Sequence, residues 1–214
     1  MYLKLMTALL LCCASLSQGQ MLSGYGMKFG IVSSELKTEG GAILFPGGFI
    51  LREDLKQRLG PQIGLFVDFF KIPHLGLQAE VSYLEKGAEE ELPITTEDHP
   101  EGTGEFYTVD SYHFDYLAFS LLAQPKLKLG AVNPYVMVGP SLNLLIANRN
   151  GLYRDTKDLT PSLVLGAGVE LLKPFAFPVL LEVRYNPDLD YFFESEYRKS
   201  ELRVWQFMVG VNLH

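Results

Sequence analysis

The sequence predicts an all-β protein, an eight-stranded antiparallel up-and-down transmembrane β-barrel with short periplasmic turns and long extracellular loops. Three observations lead to this prediction. The chain begins with a segment typical of a secretory signal. Roughly eight segments with alternating apolar and polar residues follow it. The connections between these segments alternate between long and short, as in outer-membrane barrels.

Composition sets the first limits on function. The 214-residue chain has room for one large β-domain, and its 48% hydrophobic content is enough for a core. With 18 basic and 25 acidic residues, the net charge is −7. A basic surface is therefore not expected, and nucleic acid is not predicted as a partner.

Residues 1–19 are predicted to be a signal peptide, and residues 20–214 to form the outer-membrane β-barrel domain. Lys4 precedes an apolar run that is too short for a permanent anchor, and small residues at Ser17 and Gly19 mark the expected cleavage region. The prediction is therefore an exported protein located in the cell outer membrane.

Both cysteines of the chain, Cys12 and Cys13, lie inside the predicted signal. The mature chain is therefore expected to contain neither a disulfide nor a thiol nucleophile. A lipoprotein cysteine is the competing interpretation, but leucines and a cysteine precede these positions where a lipoprotein would have small residues.

After the signal, no stretch of about 18 apolar residues remains, so no transmembrane helix is predicted. Most alternating segments reach the roughly nine to eleven residues that a tilted strand needs to cross a bilayer. The predicted strands lie at roughly 24–34, 61–71, 75–87, 112–129, 134–148, 160–172, 178–187 and 201–213.

The two faces of the predicted strands differ in chemistry. One face is apolar through the middle of every strand, as at Tyr25, Met27, Phe29 and Ile31 of the first, and is expected to contact lipid. The opposite face carries polar and charged residues mixed with glycines. Because charges are costly in a soluble core, this face is predicted to line a polar lumen.

Six lumen charges are predicted to form a network: Lys28, Asp68, Glu80, Glu170, Glu182 and Arg184. A buried charge that loses its partner costs about 3–5 kcal/mol, so we expect Lys28 and Arg184 to pair with the carboxylates and to close the lumen. The alternative is that each charge is merely hydrated. An eight-stranded barrel is just wide enough for side chains to fill, and four further side chains are expected to help. These are Phe66, Phe70, Tyr116 and Met137.

No catalytic, cofactor-binding or metal-binding residue is predicted, and the protein is not expected to be an enzyme. The four histidines do not have metal-ligand spacing. His113, near Ser111 and Asp115, is the one candidate for a catalytic group at the extracellular rim, and we interpret these residues as a polar rim.

Two further segments have simple interpretations. The "GAGVE" stretch at 166–170 lies in a strand pattern and lacks the helix of a nucleotide loop, so its small residues are expected to relieve crowding in the lumen. The acidic run at 85–105 is interpreted as a solvated loop, with divalent-cation binding as the alternative.

Several segments resemble, in order, the PorT-like outer-membrane β-barrel family of Gram-negative bacteria, often labelled porin family proteins. The most specific stretches are "LGLQAEVSYLEKGAE", "NPYVMVGPSLNLL" and "LVLGAGVELL". Two departures stand out: Ala118 and Ser120 replace the usual Glu and Pro, and the chain ends "VNLH" where an aromatic residue is common. The resemblance implies an outer-membrane barrel, and one branch of the family is associated with a secretion and gliding apparatus.

The sequence leaves more than one function open. The first is a small structural or interaction barrel, expected to be a monomer, whose partners are outer-membrane lipid and envelope or secretion-complex proteins. The second is a passive pore for small solutes, which the narrow interior disfavours. A soluble lipocalin-like carrier is a third alternative, and it would need the apolar face to point inward.

Overall fold

The computed structural model describes residues 22–39, 56–72, 74–93, 106–149, 157–172, 177–191, 193–194 and 199–213. The predicted signal peptide, residues 1–19, lies outside these ranges. None of the described residues forms a helix that could cross a membrane.

Nine strands are present in the described residues. They are β1 (Leu22–Glu39), β2 (Lys56–Ile72), β3 (Leu75–Pro93), β4 (Phe106–Pro125), β5 (Val132–Asn148), β6 (Leu159–Leu171), β7 (Val179–Pro187), β8 (Phe193–Glu194) and β9 (Lys199–Asn212). Each long strand pairs antiparallel with its neighbours, and β1 pairs with β9, which closes the sheet. Because β8 is a two-residue strand at the end of β9, the closed wall has eight strands, which confirms the predicted fold.

The connections fall at two ends of the barrel. Short connections join β2 to β3, β4 to β5 and β6 to β7, and we call this the turn end. The strand ends that are joined by the longer connections, residues 40–55, 94–105, 149–158 and 188–198, lie at the other end of the barrel, which we call the loop end. The alternation that the sequence predicted is therefore present in the structure.

Several strands differ in length from the prediction. β2 begins at Lys56 instead of residue 61, and β4 begins at Phe106 instead of residue 112. At the turn end, β4 stops at Pro125 instead of residue 129. Both strands extend further toward the loop end than predicted. Their backbone hydrogen bonds to a neighbouring strand continue there, although apolar and polar side chains no longer alternate regularly.

Side-chain burial alternates along the wall as the sequence predicts. Tyr25, Phe29 and Ile31 are each about half exposed on the outside, whereas the intervening Lys28 and Val32 are completely buried. Tyr185 packs against Trp205 on the outer wall, with 5.0 Å between ring centroids, toward the loop end of the apolar surface. This aromatic pair is typical of the girdle at a membrane interface.

Of the four aromatic and apolar side chains expected in the lumen, three are there. Phe66, Tyr116 and Met137 are buried, but the prediction for Phe70 is wrong, because its side chain is 40% exposed. Phe70 has a φ of 56°, and the pairing register of β2 with β3 shifts after Phe69. This irregularity next to the turn ends the alternation one residue before Phe70 and moves its side chain out of the lumen.

Candidate functional site

Three strands bring four charged side chains together in the middle of the lumen. Lys28 comes from β1, Glu80 from β3, and Glu182 and Arg184 from β7. Each lies at an inward position of its strand and is almost completely buried. We call Lys28, Glu80, Glu182 and Arg184 the four-charge cluster.

A glycine makes room for one of these side chains. Gly210 pairs with Lys28 across the closing strands β1 and β9. A Cβ at Gly210 would lie 2.9 Å from Lys28 Cγ and 3.3 Å from Leu180 Cβ. The absence of a side chain at Gly210 therefore lets the Lys28 stem pass into the lumen.

Every charge in the cluster meets an opposite charge. The Arg184 guanidinium donates two hydrogen bonds to Glu80, with Nη1–Oε1 and Nη2–Oε2 distances of 2.9 and 2.8 Å. The same guanidinium donates to Glu182 Oε2 from Nε at 2.9 Å and from Nη2 at 2.5 Å. Lys28 Nζ lies 3.0 Å from both Glu80 Oε2 and Glu182 Oε1. Two cations thus balance two carboxylates, and all four are shielded from water.

Neutral side chains complete the cluster. Tyr135 donates its hydroxyl to Glu182 Oε1 at 2.7 Å, and Lys28 donates to Gln78 Oε1 at 2.6 Å. The Lys28 ammonium also lies 4.8 Å from the centroid of the Phe66 ring, where a cation–π contact forms. These contacts satisfy donors and acceptors of the charged side chains that the ion pairs themselves do not use. They therefore lower the free-energy cost of burying the charges.

Two of the six predicted network residues lie at the edge or outside this cluster. Asp68 joins only indirectly, because it accepts a hydrogen bond from Gln78 Nε2 at 2.8 Å. Glu170 accepts a hydrogen bond from Asn133 at 3.2 Å, and within the described ranges no ion pair joins it to Lys28 or Arg184. The structure therefore brings together Lys28, Glu80, Glu182 and Arg184.

A second buried ion pair lies nearer the loop end. Lys86 Nζ lies 3.4 Å from Asp188 Oδ1, and Asn143 Nδ2 lies 3.4 Å from the same oxygen. The Lys86 ammonium also lies 4.9 Å from the Tyr116 ring centroid. Sequence reasoning missed this pair because Asp188 falls in a predicted loop, although Lys86 has the same inward parity as Glu80.

Apolar side chains fill the lumen around both ion pairs. A cluster on the loop side contains Val32, Leu36, Leu84, Ala88, Tyr112, Phe114, Tyr116, Ala118, Leu202 and Val204. A second surrounds the four-charge cluster and contains Phe66, Leu122, Tyr135, Met137, Val164 and Leu180. The interior therefore resembles a packed core with buried ion pairs.

A third polar group lies on the outer wall, on the loop-end side of the outward apolar residues Tyr83 of β3 and Leu117 of β4. Ser111 Oγ lies 3.0 Å from His113 Nε2, and Glu85 Oε1 lies 2.8 Å from His113 Nδ1. Arg58 donates a hydrogen bond to Glu85, and its Nη2 also lies 2.8 Å from His113 Nδ1.

This arrangement corrects the predicted grouping of His113 with Ser111 and Asp115. Asp115 pairs with Arg149, at 2.8 Å, instead of with His113. Gly87 lies opposite His113 in the strand ladder, so no side chain separates His113 from Glu85. The carboxylate beside the histidine therefore comes from the neighbouring strand, which the chain order alone did not indicate.

The charge state of Glu85 follows from its neighbours. The Arg58 guanidinium donates a hydrogen bond to Glu85, and this charged donor favours the ionised form of the carboxyl group. Glu85 is therefore a carboxylate that accepts hydrogen bonds at neutral pH.

The two remaining sequence segments can also be placed. Residues 166–170 form part of β6, in a strand as predicted. Within the described part of the chain, no group of three or more His, Cys, Asp or Glu side chains could hold a metal ion. The divalent-cation alternative depends largely on residues 94–105, which lie outside the described ranges.

Comparison with known proteins agrees with this architecture. A family model described as "Outer membrane protein beta-barrel domain" matches residues 17–213. No curated protein matches the sequence.

Two solved structures share the fold. Neisserial surface protein A is 15% identical, with a TM-score of 0.53, over 89% of this chain and 97% of that chain. The outer membrane protein OprG from Pseudomonas aeruginosa is 14% identical, with a TM-score of 0.53, over 92% of this chain and 99% of that chain. At these identities the likeness concerns the fold alone.

Proposed function

Because this chain belongs to the outer membrane protein β-barrel domain family and is located in the cell outer membrane, we propose that it acts as a closed barrel with a structural or interaction role. In this role the wall anchors the protein in lipid and the long connections meet other envelope components. The four-charge cluster is the observation on which this proposal depends.

The cluster supports a closed lumen because it occupies the centre of the barrel in a neutral, fully paired state. A conducting path usually has a water-filled, polar interior. Here Arg184 and Lys28 are 1% and 0% exposed, and aromatic and aliphatic side chains pack around them. An ion entering this space would have to separate pairs that are 2.5–3.0 Å apart. A passive small-solute pore is therefore the less favoured function.

The soluble carrier alternative requires the reverse arrangement of faces. A lipocalin-like protein would hold its ligand in an apolar interior, but here the outer wall carries Phe29, Leu65 and Val209, each at least 48% exposed. The charges lie inside. This distribution suits a protein surrounded by lipid.

The partners and topology of the barrel are part of the proposal. The PorT-like resemblance suggests proteins of an envelope or secretion complex as partners of the loop end. We infer that the loop end is extracellular, that residues 1–19 are an export signal, and that the barrel is a monomer, since a closed sheet has no edge to offer a second copy.

Planar-bilayer recording tests the proposed closed state. Purified wild-type protein should show no steady conductance. Arg184→Ala should open transient leaks, because Glu80 and Glu182 would then share only Lys28. The control is Arg203→Ala, which removes an exposed arginine on the outer wall and should remain silent. Steady, ion-selective conductance from the wild type would contradict the closed barrel and favour the pore.

A further inference from the structure

The outer-wall group of Ser111, His113 and Glu85 has the arrangement of a nucleophile, a general base and a carboxylate that orients the base. We propose that it is a serine ester-hydrolase site for carboxylic esters of amphiphiles in the outer leaflet. This activity goes beyond the structural role proposed above and does not depend on it.

Geometry is the first argument. The serine hydroxyl and the carboxylate contact opposite nitrogens of one imidazole ring, at 3.0 Å and 2.8 Å. Nucleophilic catalysis by serine needs this order of contacts, because the base must accept the hydroxyl proton at one nitrogen while the other is held in place. The three side chains come from adjacent strands of a rigid sheet, which fixes their separation.

The tautomer of His113 determines whether Ser111 can lose its proton. Glu85 Oε1 accepts a hydrogen bond from Arg58 and lies 2.8 Å from His113 Nδ1. Arg58 Nη2, a donor, also lies 2.8 Å from Nδ1. The proposed site therefore requires that Arg58 donates to Glu85 and that His113 donates its Nδ1 proton to this carboxylate, which can only accept. Nε2 is then the unprotonated nitrogen and faces the Ser111 hydroxyl.

Position on the wall identifies the kind of substrate. His113 is four residues beyond the outward apolar residue Leu117 on β4. At a rise of about 3.4 Å per residue and a strand tilt near 40°, this places the imidazole about 10 Å above Leu117. That height corresponds to the headgroup layer. The imidazole is 29% exposed, and so it can be reached from outside the barrel.

The reaction balances without any further reagent. Ser111 Oγ bonds to the ester carbonyl carbon while His113 Nε2 takes the hydroxyl proton. The carbon–oxygen bond to the alcohol then breaks, and the alcohol leaves with that proton. Water, deprotonated by His113, hydrolyses the acyl-serine and releases the carboxylic acid.

Arg58 provides positive charge beside the site. Its guanidinium donates a hydrogen bond to Glu85, and Nη2 lies 2.8 Å from His113 Nδ1. A positive charge at this distance lowers the energy of the negative charge that develops during acyl transfer.

Covalent labelling tests the site directly. Folded wild-type protein in detergent micelles should react with a fluorophosphonate at Ser111, as located by peptide mass spectrometry, and should hydrolyse p-nitrophenyl palmitate faster than p-nitrophenyl butyrate. Ser111→Ala should abolish both reactions. The matched control Ser33→Ala, an outward serine on β1 that contacts Gln57, should retain both. Absence of label at Ser111, or equal turnover by Ser111→Ala, would overturn the proposal, and equal rates on the two esters would overturn its assignment to amphiphiles.

Glu85 is a positioning residue, and its variants separate catalysis from stability. Glu85→Gln should slow labelling of Ser111 by about 10²-fold or more, and Glu85→Asp should recover part of that loss. Both variants are compared at equal folded fractions, measured by the mobility shift between unheated and heated samples. Unchanged labelling in folded Glu85→Gln would remove Glu85 from the site.

Discussion

Arg184→Ala is expected to destabilise the barrel through charge imbalance in the lumen. The substitution removes four hydrogen bonds to Glu80 and Glu182, at 2.5–2.9 Å. Two buried carboxylates then remain with one ammonium, that of Lys28. Loss of one partner from a buried ion pair costs about 3–5 kcal/mol, so the free energy of unfolding should fall by about that amount.

Urea titration in detergent micelles measures this loss. Trp205 is the single tryptophan of the chain and lies half exposed on the outer wall, so its fluorescence reports transfer from detergent to water. The control Arg203→Ala breaks an exposed pair with Glu201, 2.6 Å apart, and should cost less than about 1 kcal/mol.

A compensated variant separates charge imbalance from lost packing. Glu182→Gln combined with Arg184→Met leaves Lys28 and Glu80 as a balanced pair in a similar volume. This double variant should recover most of the stability lost in Arg184→Ala, since replacing a buried pair with side chains of similar size is often close to neutral. If Arg184→Ala costs no more than the Arg203→Ala control, or if the double variant is the less stable of the two, the reasoning is refuted.

Two further pairs of substitutions probe the wall. Gly210→Ala places a Cβ 2.9 Å from Lys28 Cγ and should cost about 1–3 kcal/mol in urea titration. At Gly76 the nearest atom to an added Cβ is the flexible end of Lys126 at 3.2 Å, and Gln124 Cβ lies at 3.4 Å, so Gly76→Ala should cost less. Equal losses would refute the steric account. Leu181→Arg, near the middle of the outer apolar surface, should lower the free energy of unfolding by about 2–4 kcal/mol. Leu159→Arg, at the loop end, should lower it by about 0–1 kcal/mol. The opposite order would show that the apolar surface does not lie in the membrane as described.

The fold was predictable because its signal is repeated along the chain. Alternation with period two fixes which side chains face lipid, and it placed Lys28, Glu80, Glu182 and Arg184 on one inner surface. Pairing of these charges could be expected because a narrow lumen leaves no room for isolated ones. Strand ends were less predictable, since the pairing of β4 beyond residue 112 depends on β3 and not on its own side-chain pattern.

The outer-wall site depends on a contact between two strands that the order of residues along the chain does not indicate. Ser111 and His113 are two residues apart in a strand, so their side chains were expected to lie on the same face of the sheet. Glu85 comes from the adjacent strand, and its place beside His113 depends on the register of β3 with β4 and on the missing side chain of Gly87. The prediction that Phe70 lies in the lumen was wrong for a related reason. Its positive φ accompanies the irregular pairing register next to the turn, which its own position in the sequence does not indicate.

Amine labelling of Lys28 tests the closed lumen most directly. A small amine-reactive reagent can reach Lys28 only through an open interior, whereas the Lys157 side chain is 37% exposed at the loop end. In folded wild-type protein, mass spectrometry should find Lys157 modified and Lys28 protected, with protection lost on unfolding. Modification of Lys28 in the folded barrel at the rate of Lys157 would contradict the account.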